Sequence, residues 1–274
     1  MEVEDARTSV DLFQSALYKT NAAVITTEDL VLVVDPCWLP GEVERIRAHV
    51  EAIRAGRPVY LLLTHSDFDH ILGWGAFPGA SVIASESFAA KPENEREAIL
   101  EEIRAFDDGY YLDRDYPIAY PAVDHVISGD GGALEIGGTR LVFYQSPGHN
   151  PDGLFTIVEP LGVWIAGDYL SDVEFPFIQT DSRMYEESLA KVGPILERHR
   201  VKLLIPGHGA CTKDPGEIRR RRDAGLAYIT RLRERVAAGD QAAIDALIDG
   251  CPYPRNMMND HRKNEARIRG ELGI

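Results

Sequence analysis

The 274-residue sequence holds only three cysteines, Cys37, Cys211 and Cys251. No two form a CxxC pair, and three scattered thiols cannot build a disulfide framework. Each therefore reads as a small buried hydrophobe in a reducing, cytoplasmic setting. No apolar run approaches the roughly 20 residues of a membrane span. Basic residues are scarce too: 29 Lys and Arg stand against 44 Asp and Glu, a formal charge of −15. That balance disfavours nucleic acid or an anionic membrane as a partner. The opening Met1-Glu2-Val3-Glu4-Asp5 is acidic and has no apolar core, so no secretory signal is read there. What remains is a globular composition, 45% apolar and 27% charged, in a chain long enough for one large domain or two small ones.

The chemistry concentrates in Thr64-His65-Ser66-Asp67-Phe68-Asp69-His70, which sets His65, Asp67, Asp69 and His70 close together. The run Pro58–Leu63 before it is apolar and bulky enough for a buried strand. Ligand-type side chains at the end of such a strand sit on a rigid platform. Imidazole nitrogen and carboxylate oxygen together suit zinc, iron or manganese better than calcium or magnesium. Upstream, Leu12–Lys19, Ala22–Thr26 and Leu30–Val34 read as an antiparallel meander. Val43, Ile46, Val50 and Ile53 then follow at helical spacing up to Gly56.

Three later strand ends each place one ligand-type residue in a tight, glycine-bearing turn. Ser146-Pro147-Gly148-His149 follows Thr139–Tyr144, Gly167-Asp168 follows Gly162–Ala166, and Pro206-Gly207-His208-Gly209 follows Val201–Ile205. A helix is expected from about Ser182 to His199, kinked at Gly193-Pro194, and mostly helix from Asp214 onward. The four arginines Arg219–Arg222 read as a solvated run.

Taken in order, HxDxDH, PGH, GD and PGHG resemble the metallo-β-lactamase superfamily over about residues 10 to 215. The resemblance implies an α/β fold, the αβ/βα sandwich of two mixed sheets with outer helices, carrying a two-metal site at one edge. It would comprise a catalytic domain over 1–213 and a C-terminal helical extension over 214–274. Carried over by motif, His65, Asp67 and His149 would hold one divalent metal and Asp69, His70 and His208 the other, with Asp168 bridging. Zinc is the first expectation, with iron or manganese as alternatives. Asp35, ending a strand, would support the ligand loop from behind. Asp67 departs from the usual HxHxDH pattern and adds one negative charge.

The expected activity is that of a binuclear metal-dependent hydrolase. A metal-bridging hydroxide would attack an ester, lactone or thioester, with Asp69 as the catalytic residue orienting it. Alternatives from other classes are a flavodiiron-like redox protein, a phosphodiesterase and a metal-binding protein without turnover. The partner expected is a small-molecule substrate, with no nucleic acid and no membrane; oligomeric state is left open, homodimer included. Asp107–Asp124, rich in tyrosine and proline, reads either as a lid or as a loop packed on the body. Together with the helices after Asp214 it is expected to line the pocket, through Tyr116, His261 and Lys263.

Overall fold

The computed structural model describes residues 8–274, so the acidic Met1–Asp5 lies outside the described residues. The chain divides into two compact units. The first runs through Tyr144 and includes Thr156–Pro160; the second is Gln145–Phe155 with Leu161–Ile274. Among the described residues no helix is long and apolar enough to cross a membrane.

The first unit is built on a six-stranded mixed sheet. Its strands, in spatial as in chain order, are β1 (Ser9–Gln14), β2 (Asn21–Thr26), β3 (Val31–Val34), β4 (Val59–Leu62), β5 (Ser81–Ser85) and β6 (His125–Ile127). The first three pair antiparallel, and β3 to β6 pair parallel. β2 and β3 are buried along their whole length, which is why Ala22–Ile25 and Val31–Val34 are unbroken apolar runs rather than alternating ones. β1 begins and ends earlier than expected. Leu17 and Tyr18, read as strand, lie in the hairpin turn instead, where Tyr18 and Lys19 take positive φ and Ser15 N–H donates to the Thr20 carbonyl.

Among the described residues, the α-helices of this unit are α1 (Pro40–Ile53), α2 (Phe68–Ile71), α3 (Glu86–Ala89) and α4 (Glu93–Tyr110). The spacing of Val43, Ile46 and Val50 is realised as the buried face of α1. These side chains join Val31, Val33, Leu61, Leu63, Ile71 and Phe88 in one apolar core.

A second sheet has five strands, ordered β11-β10-β9-β8-β7. These are β7 (Ala133–Ile136), β8 (Thr139–Gln145), β9 (Leu154–Glu159), β10 (Val163–Ile165) and β11 (Leu203–Ile205). β7 and β8 run antiparallel, β10 and β11 parallel. The second unit adds α5 (Ser182–Ala190), α6 (Val192–Arg198), α7 (Pro215–Ala238), α8 (Gln241–Asp245) and α9 (Pro254–Leu272). The expected kinked helix is thus two helices, parted at Lys191 just before Gly193-Pro194. α7 packs against α5, α6, α8 and α9, so the helices after Asp214 form one cluster with α5 and α6.

Of the arginine run, Arg221 is not solvated. It is buried, ion-paired with Glu217 at 2.8 Å, and donates to the carbonyls of Leu170 and Ala210. His199 is buried too.

Candidate metal centre

The first unit supplies four ligand-type side chains from the loop that follows β4. Parallel pairing of β3 with β4 sets Val34 beside Leu62, so the residues just beyond the two strands also run side by side. Asp35 takes φ 41°, a left-handed conformation that aspartate tolerates. Its carboxylate is buried and accepts three hydrogen bonds: from Thr64 N–H at 2.9 Å, from the Thr64 hydroxyl at 2.6 Å, and from His70 Nδ1 at 3.0 Å. Three donors offset the cost of burying a carboxylate.

That network decides how two imidazoles face. His70 gives its Nδ1 proton to Asp35, leaving the Nε2 lone pair for a metal. The Thr64 hydroxyl proton is committed to Asp35, so its oxygen accepts from His65 Nδ1 at 3.0 Å and leaves Nε2 of His65 in the same state. The two rings lie with centroids 4.1 Å apart. Beside them stand Asp69, with Oδ2 3.4 Å from His70 Nε2, and Asp67, with Oδ2 3.8 Å from His65 Nε2. Asp67 occupies the N-cap position of α2, yet its side chain makes no capping hydrogen bond. A side chain at that position ordinarily caps.

The second unit supplies His149, Asp168 and His208. β10 and β11 are parallel in register, Ile165 beside Ile205, so the turns after them leave the sheet together. Ala166 N–H donates to the Ile205 carbonyl and Gly207 N–H to the Gly167 carbonyl. A Cβ on Gly207 would collide with the Asp168 carboxylate, and one on Gly148, at φ 129°, would collide with the Tyr185 backbone. Glycine is what lets both turns close. Asp168 Oδ2 lies 3.4 Å from His149 Nε2 and 3.3 Å from His208 Nε2, so a single carboxylate oxygen serves both imidazoles.

The orienting partners differ from those of the first unit. His149 Nδ1 donates to the Phe177 backbone carbonyl at 2.8 Å. His149 N–H donates to the Tyr169 hydroxyl, which in turn donates to the Pro147 carbonyl. Burial pushes the Tyr169 hydroxyl up, so it stays a neutral donor. Glu174 Oε1 stands 3.9 Å from His208 Nδ1. Thr64, Tyr169 and the Phe177 carbonyl carry no sequence signature of these roles.

Imidazoles held through Nδ1, with carboxylates beside their Nε2 atoms, are donor types that suit a divalent transition metal. The chain contains His/Asp groups that could hold one. The cysteines do not join this chemistry. Burial raises the Cys37 thiol well above its ordinary value and pushes Cys211 up to about 11, which keeps both protonated.

Beside His149 and Asp168 lies a cavity of about 440 Å³, within the size range of small-molecule sites. His149 and Asp168 line it together with Phe175, Phe177 and Tyr228; Phe175 and Tyr228 stack with centroids 4.7 Å apart. Tyr116, His261 and Lys263 are not among its lining residues.

His261 is fully buried, its Nδ1 bonded to the Tyr228 hydroxyl at 2.8 Å and its Nε2 to the Ile244 carbonyl at 2.9 Å. Lys263 is exposed and pairs with Asp260. Tyr116 is half-buried against the core of the first unit and accepts from Arg114, which is held by Asp107. Within the loop that carries it, Tyr120 donates to the Phe88 carbonyl, and the Ala119 carbonyl accepts from Trp74.

The metallo-beta-lactamase superfamily profile matches residues 17–239. A curated relative, the probable metallo-hydrolase YqgX of Bacillus subtilis (strain 168), is 29% identical over 155 residues. That match spans 56% of this chain and 66% of the relative, just under two thirds of its length. Among solved structures, a metallo-beta-lactamase family protein from Thermus thermophilus superposes with a TM-score of 0.66 at 20% identity, over 97% of this chain and 94% of that one. A beta-lactamase domain protein from Burkholderia ambifaria gives 0.62 at 18% identity, over 99% and 88%. At such identities the structural matches speak for the fold alone: two mixed sheets with flanking helices and further helices at the C-terminal end. The profile match supports a metal-dependent hydrolase in general terms. The chain belongs to the metallo-β-lactamase superfamily.

Proposed function

We propose that the chain is a binuclear metal-dependent hydrolase acting on a small ester, lactone or thioester. One observation carries the reading: a single oxygen of Asp168 stands at nearly equal distance from Nε2 of His149 and of His208, as a carboxylate bridging two metals would. By motif, His65 with His149 and Asp168 would form one ligand set and Asp69 with His70 and His208 the other, which supports two ions rather than one. Seven ligand-type residues exceed what one tetrahedral ion uses. Asp67 completes the first set by motif, and the mixed imidazole and carboxylate donors suit zinc first, then iron or manganese. Bound metals of this kind supply Lewis acidity and a water acidic enough to react near neutral pH.

The protein's own groups do the remaining work. Asp35 and Thr64 hold the Nδ1 edges of His65 and His70, fixing ring orientation and tautomer so that Nε2 is aimed outward. The Phe177 carbonyl does the same for His149. Asp69 orients the attacking water through its carboxylate. The cavity beside His149 and Asp168 takes the body of the substrate against Phe175, Phe177 and Tyr228, excluding water from that side. No serine or cysteine nucleophile is needed, in keeping with the protonated thiols.

The test is metal analysis of natively expressed protein run beside a panel of esters, lactones, thioesters and phosphodiesters. Two metal equivalents and turnover of a carbonyl substrate support the reading. Phosphodiester turnover alone would move the substrate class, and full metal loading without turnover of any member would remove the enzyme.

A further inference from the structure

α9 lies beyond residues 17–239, the span of the family match, and its polar side chains meet one backbone segment at regular intervals. Asn264 grips that segment twice: its Nδ2 donates to the Pro176 carbonyl at 2.6 Å, and its Oδ1 accepts from Ile178 N–H at 2.8 Å. Arg267 donates to the Thr180 carbonyl at 2.6 Å. Glu271 accepts from both the N–H and the hydroxyl of Ser182. Positions 264, 267 and 271 are spaced i, i+3 and i+7, so they share one helix face. A face that would otherwise meet solvent or apolar core is used here as a rail for residues 176–182.

What that segment does gives the rail its meaning. Between the two atoms that Asn264 holds sits Phe177, whose carbonyl accepts the Nδ1 proton of His149. Two residues on, Gln179 N–H donates to the His149 carbonyl, and Thr180 donates to the Gly148 carbonyl through both its N–H and its hydroxyl. The segment therefore holds the PGH turn by backbone and ring alike. Asn264 is itself fixed: it is buried, and its Nδ2 also donates to the Tyr228 hydroxyl at 3.0 Å, which His261 holds from the other side.

We infer that α9 is a splint for the metal ligand His149, and that Asn264 is a positioning residue acting through the Phe177 carbonyl. The inference rests on the proposed metal-binding role of His149 and adds to it a reason for the C-terminal helix. With Asn264 in place, the Phe177 carbonyl has one position, and the imidazole it orients has one rotamer and one tautomer. Without it the Pro176–Ile178 peptide groups lose two partners, and the carbonyl can swing.

The experiment compares wild-type protein with Asn264→Ala and with Arg262→Ala. The latter removes ion pairs to Asp245 and Glu265 and leaves the hydrogen bonds from α9 to 176–182 in place. Metal-free proteins are titrated with Zn²⁺ against a chromophoric chelator, and separately with Co²⁺ while the visible ligand-field spectrum is recorded. Loss of an outer-shell partner typically weakens metal binding about 10–100-fold. Acting one bond further out, Asn264→Ala is expected near the lower end of that range, about tenfold, with a changed Co²⁺ band shape. Arg262→Ala should keep the wild-type affinity and spectrum even where it lowers Tm.

Should Asn264→Ala fail to fold, Arg267→Ala, which frees Thr180 on the same segment, is read in its place by the same two measurements. Wild-type affinity and spectrum in the variant would overturn the inference while leaving the metal site intact. A wild-type protein that binds neither ion would instead remove the reading beneath it.

Discussion

The two units prepare their imidazoles in different ways. In the first, one buried carboxylate, Asp35, commands both histidines, directly at His70 and through Thr64 at His65. Its hydrogen-bond donors lie within 35 residues of it along the chain. In the second, His149 is oriented by a backbone carbonyl whose own position depends on Asn264, a residue more than 80 positions away from the segment it holds. The first support is electrostatic and concentrated: one charge and three donors. The second is mechanical and distributed over a helix face. Concentrated support should fail sharply when one atom is changed, and distributed support should soften by degrees.

The largest effect is expected where a single atom serves two imidazoles. Asp168→Ala should weaken binding of both metals and lower kcat by more than the ~10–100-fold of an outer partner. Chelator competition and steady-state kinetics on the same preparation measure this. Loss of one metal only would show that the carboxylate does not bridge.

Asp35→Asn comes next. It removes the charge while keeping the shape, so His70 can lose its fixed tautomer and Thr64 its acceptor. Metal affinity should fall ~10–100-fold, by more than Asn264→Ala causes. An equal effect of the two would erase the contrast between concentrated and distributed support. Asp35→Ala would add a stability loss, since each orphaned buried donor costs about 1–3 kcal/mol, read by chemical unfolding of the metal-free protein.

Asp67→His tests the residue that departs from the HxHxDH pattern. Replacing a carboxylate by neutral imidazole makes the metal-bound water easier to deprotonate. The acidic limb of the pH–rate profile should therefore move to lower pH, and metal preference should drift toward zinc. With metal content verified, an unmoved limb would take Asp67 out of the ligand set.

The smallest effect concerns His261, behind the splint. Burial holds its imidazole below the ordinary value, so the folded chain binds fewer protons there than the unfolded one. Its contribution is complete above the ordinary histidine value of about 6.5 and is lost as pH falls below it toward the folded value. Urea midpoints should thus decline from about pH 7 to about pH 5 in the wild type and decline less in His261→Gln. Parallel curves would place the acid sensitivity elsewhere.

What was legible in the sequence follows the same division. The ligand loop after β4 is contiguous and stands behind an apolar strand, so residue type, spacing and element coincide. The turns at His149, Asp168 and His208 were legible because each couples glycine with one polar residue after an apolar run. The Phe177 carbonyl was not, because a backbone acceptor has no residue signature. Nor was the role of α9. Its buried stripe, Met257, His261, Asn264, Glu265 and Ile268, has helical spacing, but most of those residues are polar, so the pattern does not mark a buried face. Only the long-range contacts reveal that they are satisfied inside. The end of β1 differs from expectation for the converse reason, the apolar Leu17 and Tyr18 sitting in a turn.

The central claim is that one centre holds two metals joined through Asp168. The most direct measurement is the metal content of natively expressed wild-type protein, taken by mass spectrometry on the same sample whose specific activity is recorded. The account predicts two equivalents per chain at full activity, and activity that disappears as they are removed. A fully active preparation holding a single equivalent would contradict it.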